Sequence, residues 1–178
     1  MITIKNLLPF TTIAVFAFAG CTSYHNAHQE VSIESACIIS NLATDAIVHT
    51  EGDCDVQETP CSTFKIALSL MGFDAGILKS EHEPEWPYSE TYNAPLEIWQ
   101  RPHTPQTWMQ HSCVWYSRKL TSMLGMEKFK QYVHDFDYGN HDVSGTPKEN
   151  DGLTKSWLCS SLKISPRQQV AFIRVYAQ

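Results

Sequence analysis

The chain has 178 residues, a length that suits one domain. Hydrophobic residues at 43% and aromatics at 11% are enough to build a core. The formal charge of −6 and the absence of any Lys/Arg block argue against nucleic acid as a partner.

Residues 1–6 carry a single charge, Lys5, and residues 7–19 are uncharged and mostly apolar. That run falls short of the ~20 residues needed to span a bilayer, so residues 1–20 read as a secretory signal peptide. Two cleavage sites compete. Ala17-Phe18-Ala19 fits the small-x-small rule, while Phe18-Ala19-Gly20-Cys21 resembles a bacterial lipobox, in which Cys21 is lipidated and heads the mature chain. The second is favoured because Gly-Cys follows the apolar run directly. Residues 21–35 are polar and read as a linker. His25 and His28 within it stand at i, i+3, but no third ligand lies nearby to complete a metal site.

Residues 36–40 and 46–49 are short apolar runs separated by the turn formers of residues 41–45, which predicts a β-hairpin whose second strand ends at Glu51-Gly52-Asp53. It would give the next helix a sheet to pack against. That helix follows Pro60-Cys61-Ser62-Thr63-Phe64-Lys65. Phe64, Ala67, Leu68 and Met71 recur at i, i+3, i+4, i+7, and Ser62 stands before them as an N-cap. Lys65 comes three residues after Ser62, on the same face. A Ser hydroxyl needs an adjacent base to become a nucleophile, and an amine walled by apolar groups loses its charge more readily. Alone, S-x-x-K reads more often as a cap and a surface Lys.

Residues 81–105 hold five prolines, which argues against long regular elements. Trp86, Tyr88, Tyr92 and Trp99 either line a cleft or cover a core. Ser112 stands before a second helix whose stripe is Tyr116, Leu120, Met123 and Leu124, with Gly125 as its stop. Phe129, Tyr132, Val133 and Phe136 repeat the stripe, and residues 137–146 form a loop. Ser165-Pro166-Arg167-Gln168 reads as a capping box opening a last helix, with Val170 and Ile173 facing inward. The six cysteines match no zinc spacing. Cys61 and Cys113 read as small packing residues, and Cys54 has Cys37 or Cys61 as a candidate disulfide partner, with connectivity left open.

Ser62-Thr63-Phe64-Lys65, Ser112-Cys113-Val114, Tyr138-Gly139-Asn140 and Trp157-Leu158, in this order, resemble the signature of class D serine β-lactamases, the oxacillinases. The resemblance implies an α+β fold of β-lactamase/transpeptidase type, an antiparallel sheet with a helical subdomain, occupying residues 36–178. It implies that Ser62 attacks the β-lactam carbonyl, that Lys65 carries carbon dioxide as an N-carboxylysine and serves as general base, and that Ser112 relays a proton to the leaving nitrogen. Val114 would keep the pocket dry, the Trp157 indole would hold a carbamate oxygen, and Tyr138 and Asn140 would frame the cleft. No metal or other cofactor is implied. The partners are β-lactams, and the location is the periplasm of a Gram-negative bacterium, with outer-membrane anchoring through Cys21. The family's closing Lys-Thr-Gly or Lys-Ser-Gly is absent from the sequence, so the chain reads as the N-terminal two-thirds of such an enzyme, lacking the C-terminal strands and helix. Oxacillin turnover by residues 21–178 alone is therefore expected to be poor. Other readings are a β-lactam sensor domain acylated without turnover, a transpeptidase (whose second motif usually has Asn where Val114 stands) and an inactive envelope lipoprotein.

Overall fold

The computed structural model describes residues 35–176. The signal-peptide, lipidation and His25/His28 expectations lie outside those residues. The described residues divide into two compact units, one holding residues 35–58 and 165–176, the other residues 59–164.

In the first unit, strands β1 (Cys37–Ser40) and β2 (Ile47–Glu51) pair antiparallel, with Cys37 opposite Glu51 and a bulge between Ile39 and Ser40. The turn forms where the sequence places it. Asn41 Oδ1 accepts from the backbone N–H of Ala43 and Thr44, and Asp45 takes a positive φ of 60°, which Asp tolerates better than most residues. β1 alternates, burying Ile38 and Ser40, whereas all of β2 is exposed. The buried face of β1 is covered by α6 (Pro166–Tyr176), and Ile38, Cys54 and Val170 form the small core. The predicted capping box is present. Gln168 N–H donates to Ser165 Oγ at 3.2 Å, and Ser165 N–H donates to Gln168 Oε1 at 3.0 Å. Phe172, rather than the expected Ile173, is buried beside Val170 on α6, and Ile173 is only half-buried. Arg167 grips Asp55 through two nitrogens at 2.7 and 3.2 Å, a fork geometry that fixes α6 to the segment after the hairpin. Cys54 is a free thiol, as are Cys37 and Cys61, so neither expected disulfide forms. The Cys54 Sγ donates instead to the Cys37 carbonyl at 3.2 Å.

The second unit is helical. A 3-10 turn, Cys61–Phe64, runs directly into α1 (Lys65–Asp74). Then come α2 (Pro105–His111), α3 (Val114–Leu124), α4 (Met126–Asp135) and the single turn α5 (Gly152–Lys155). α3 packs against α1, α4 and α5. α1 buries Ala67, Leu68 and Met71 as its periodicity predicts. On α3, Tyr116, Leu120 and Leu124 are inside, but Met123 is exposed, and Trp115 takes a core place instead. The 100° step between neighbours explains the exchange, because Met123 sits at the margin of the stripe and Trp115 faces the proline-rich segment.

That segment, residues 81–105, serves both of the roles left open by the sequence. Trp86 is buried in a short antiparallel bridge with His103 and meets Tyr116 at 4.3 Å with the rings tilted by 33°. Tyr92 and Trp99 line a cavity beside α3. The loop after α4 is pinned by close approach. Gly139 has φ +60°, and a Cβ added there would collide with the Lys163 carbonyl. Gly139→Ala is accordingly expected to lower stability by at least the ~1–3 kcal/mol of a strained left-handed residue, with the collision adding to it. Urea midpoints of the two proteins check this, and an unchanged midpoint would show that the loop can retreat.

Candidate active site

Ser62 sits in the middle of the 3-10 turn, one residue after Cys61, whose φ of +47° is a left-handed conformation that few non-glycine residues adopt. The predicted N-cap role is thus corrected. No side-chain capping bond is made at the start of the turn or of α1, and the Ser62 hydroxyl is exposed at the surface of the unit. The hydroxyl is committed elsewhere. Lys65 Nζ donates to Ser62 Oγ at 3.2 Å, the one-turn relation foreseen from the spacing.

Ser112 reaches the same oxygen from fifty residues away in sequence, donating its hydroxyl to Ser62 Oγ at 2.8 Å. It does not open a helix directly. It closes α2 in a left-handed conformation, φ 53°, and Cys113 stands at the N-cap of α3. The reversal at Ser112 is what turns its side chain toward the 3-10 turn instead of along either helix. Ser62, Lys65 and Ser112 are therefore joined in one hydrogen-bonded cluster.

Lys65 is only 3% exposed. Among the described residues no carboxylate forms an ion pair with it. Burial lowers its amine to about 8, while neighbouring thiols of Cys113 and Cys61 pull weakly the other way. Cys113 offers little counter-charge, because burial pushes its own thiol up to about 11. At neutral pH the amine is thus poised close to its own deprotonation, and its neutral form carries a lone pair that can take the Ser62 proton.

The walls are aromatic. Phe64, next to Lys65 in the chain, meets Trp157 at 5.4 Å, Tyr138 at 5.0 Å edge-on and Phe129 at 6.0 Å. Trp157 and Tyr138 are fully buried. The Trp157 backbone carbonyl accepts from Cys61 N–H at 2.9 Å, tying this segment to the nucleophile turn. The Trp157 indole Nε1 and the Ser156 Oγ are buried without a hydrogen-bond partner. An orphan donor of that kind suits an acceptor oxygen in the same pocket. Val114 is half-buried and lines the neighbouring cavity together with Leu158, a residue the motif contained but to which no role was given. Tyr138 does not frame an open cleft, since it lies inside the aromatic layer. Asn140 is a staple. Its Oδ1 accepts from Lys163 and Asp142 N–H, and its Nδ2 donates to the Ser161 carbonyl, holding residues 140–142 against 161–163.

The buried amine carries a pH signature of its own. Its pKa is about 10.5 in the unfolded chain and about 8 when folded, so between those values the unfolded state holds more protons and stability rises with pH. Below about pH 8 the full desolvation cost is present. Lys65→Met should remove this slope, leaving a difference between variant and parent that changes by an amount on the order of 3 kcal/mol across that window. Urea denaturation in buffer free of carbon dioxide, at pH 7 to 10.5, reads it out, and parallel pH profiles would show that the amine is solvated.

Comparison with known proteins gives a consistent picture. The family profile described as penicillin binding protein transpeptidase domain matches residues 15–178. The chain is 43% identical over 160 residues to β-lactamase OXA-9 of Klebsiella pneumoniae, covering 89% of this chain and 58% of that protein. It is 46% identical over 143 residues to β-lactamase OXA-1 of Escherichia coli, covering 79% and 51% respectively. The crystal structure of the OXA-427 class D β-lactamase superposes with a TM-score of 0.71 at 48% identity, covering 72% of this chain and 53% of that one. The chain thus spans about half the length of the curated relatives it matches.

Proposed function

From the premise that this chain belongs to the penicillin-binding protein transpeptidase-domain family, with class D β-lactamases as its relatives, we propose that it provides the nucleophile side of a β-lactam hydrolase. The observation that carries this reading is the cluster itself. Ser62 Oγ receives both the Lys65 amine at 3.2 Å and the Ser112 hydroxyl at 2.8 Å, with Lys65 buried.

The chemistry follows from those positions. Ser62 Oγ attacks the lactam carbonyl as its proton passes to the base at Lys65, and the lactam C–N bond breaks. Ser112, hydrogen-bonded to the same Ser62 oxygen, is placed to give its own hydroxyl proton to the departing nitrogen and to be reprotonated by the base at Lys65, which is thereby freed for the second step. The base then withdraws a proton from water, which hydrolyses the Ser62 ester. Class D β-lactamases need no metal for this. The residues around Lys65 fit a carbamate on its Nζ. The amine's lowered pKa favours the neutral form that reacts with carbon dioxide, and the orphan Trp157 N–H is a donor in want of an acceptor. Such a group supplies a basic oxygen in place of the amine lone pair. Val114 contributes an apolar flank, and Asn140 holds the loop that carries Tyr138.

The test is covalent capture. Incubation with a penicillin is expected to add one acyl group, found by peptide mass spectrometry on Ser62 and absent from Ser62→Ala. Ser112→Ala should acylate slower by roughly a hundredfold, the low end of what a positioned acid–base group contributes. With ¹³C-bicarbonate, a carbamate resonance is expected that weakens below about pH 8 and disappears in Lys65→Ala. Acylation elsewhere, or equal labelling of Ser62→Ala, would refute the assignment. A stable adduct without ester hydrolysis would point to a sensor rather than a hydrolase.

We further propose that residues 1–20 direct the protein to the periplasm of a Gram-negative bacterium and that Cys21 anchors it to the outer membrane, on the strength of the apolar run ending in Ala19-Gly20-Cys21. Metabolic labelling with a radioactive fatty acid should mark the wild type and not Cys21→Ala. Label retained by that variant would sink the anchoring proposal.

A further inference from the structure

Residues 87–102 form a loop closed at its base by the Trp86–His103 bridge, in which each backbone N–H donates to the other residue's carbonyl, at 2.9 and 3.0 Å. The fully buried His103 side chain sits at that closure. Its Nε2 lies 3.2 Å from the Ile98 carbonyl and its Nδ1 3.2 Å from Thr107 Oγ1. A carbonyl can only accept, so these partners assign the proton of the neutral ring to Nε2, and Nδ1 accepts from the Thr107 hydroxyl. One ring thus ties the loop to itself and to α2. It also meets His111 of α2 and Trp115 of α3 edge to face, each with ring centres 5.5 Å apart.

These surroundings suit a neutral imidazole. A second proton would leave a buried cation, which is costly unless it is paired. Among the described residues no carboxylate forms an ion pair with His103. The titratable and charged groups that face it are Arg101 from its own loop and His111 from α2, and both oppose a positive charge, while α3 presents the uncharged Trp115. The His111 Nδ1 is itself buried without a hydrogen-bond partner. Thr107 Oγ1 already accepts the Thr104 N–H at 2.9 Å and would have to turn its own proton elsewhere to meet a second donor from Nδ1. Burial accordingly holds the imidazole below its ordinary 6.5, against the pull of the Ile98 hydrogen bond and with the help of His111 and Arg101.

We propose that His103 is an acid-sensitive latch, which as the neutral imidazole closes the loop of residues 87–102 onto α2 and α3 and as the imidazolium releases it. Release withdraws the Tyr92 ring from Trp115 and the Trp99 indole from the His111 carbonyl. In the open loop the ring is solvated and titrates at its ordinary value, so the open form binds more protons and gains as pH falls below about 6.5. The latch does not rest on the acyl-transfer reading and works whether or not Ser62 is a nucleophile.

Native-state hydrogen exchange of the purified full chain, read amide by amide by NMR and corrected for the intrinsic pH dependence of exchange, tests this. The Trp86 and His103 amides should open more readily than the Phe129 amide of α4, by a path short of global unfolding. Their opening constants should rise toward about tenfold per pH unit below about pH 6.5. In His103→Gln, whose amide cannot titrate, the loop should stay closed and that slope should vanish. Should the variant fail to fold, the wild-type amides decide alone. Bridge amides that exchange only as fast as Phe129, an opening constant that does not change with pH, or a slope that survives His103→Gln would overturn the proposal.

Discussion

The helical unit depends on keeping an amine out of water. Lys65 has a four-carbon stem and a strongly hydrated head, and burying that head uncompensated is costly unless the proton leaves. Here the side chain is inside, its hydrogen-bond partner is a neutral hydroxyl rather than a carboxylate, and its pKa falls to about 8. An aromatic core adjoins it in the chain. Phe64, Phe129, Tyr138 and Trp157 meet through ring contacts of 5.0 to 6.0 Å, joining α1 to α4 and to the two loops that follow.

The reactive groups sit on turns, and the helices hold those turns. Ser62 lies in a 3-10 turn entered through a left-handed Cys61, and Ser112 is itself left-handed between α2 and α3. Such conformations persist only where their surroundings over-determine them. At Cys61 the constraint is the hydrogen bond from its N–H to the Trp157 carbonyl. At Ser112 it is the pair of bonds that Ser112 and Cys113 N–H make back to Met109 and Trp108, with Trp108 fully buried. Trp108 is in turn held by a 2.9 Å bond from its indole to Ser117 and by stacking on Tyr116. Two short strained segments are thereby aimed at each other by the packing that surrounds them.

The sheet unit shows how local rules operate where they meet no opposition. The Asn41 turn, the alternation in β1 and the Ser165–Gln168 capping box each follow from residues within five positions of one another. Long-range polar contacts then fix the assembly. Asp55 with Arg167, Gln57 with Gln168 and Asp45 with Arg174 all cross from the hairpin side to α6.

The sequence by itself determined what depends on near neighbours. It placed Lys65 one turn from Ser62, set the apolar stripe of α1, marked the hairpin and the last helix, and supplied four ordered motifs that pointed to the family. It was misleading where a local preference met a tertiary demand. Ser62 reads as a cap from its neighbours, yet its hydroxyl is taken by Lys65 and Ser112. Ser112 reads as a helix start, yet it ends α2. Met123 reads as core, yet Trp115 fills that role because the proline-rich segment lies over it. Tyr138 reads as part of a cleft, yet Phe64 buries it. Only the tertiary structure brought Ser112 to Ser62 across fifty residues and buried Lys65 to 3% exposure. The reason is physical. Periodicity and capping are written in steps of two to four residues, whereas desolvation and convergence are properties of a volume, filled by whichever distant segments the fold brings there.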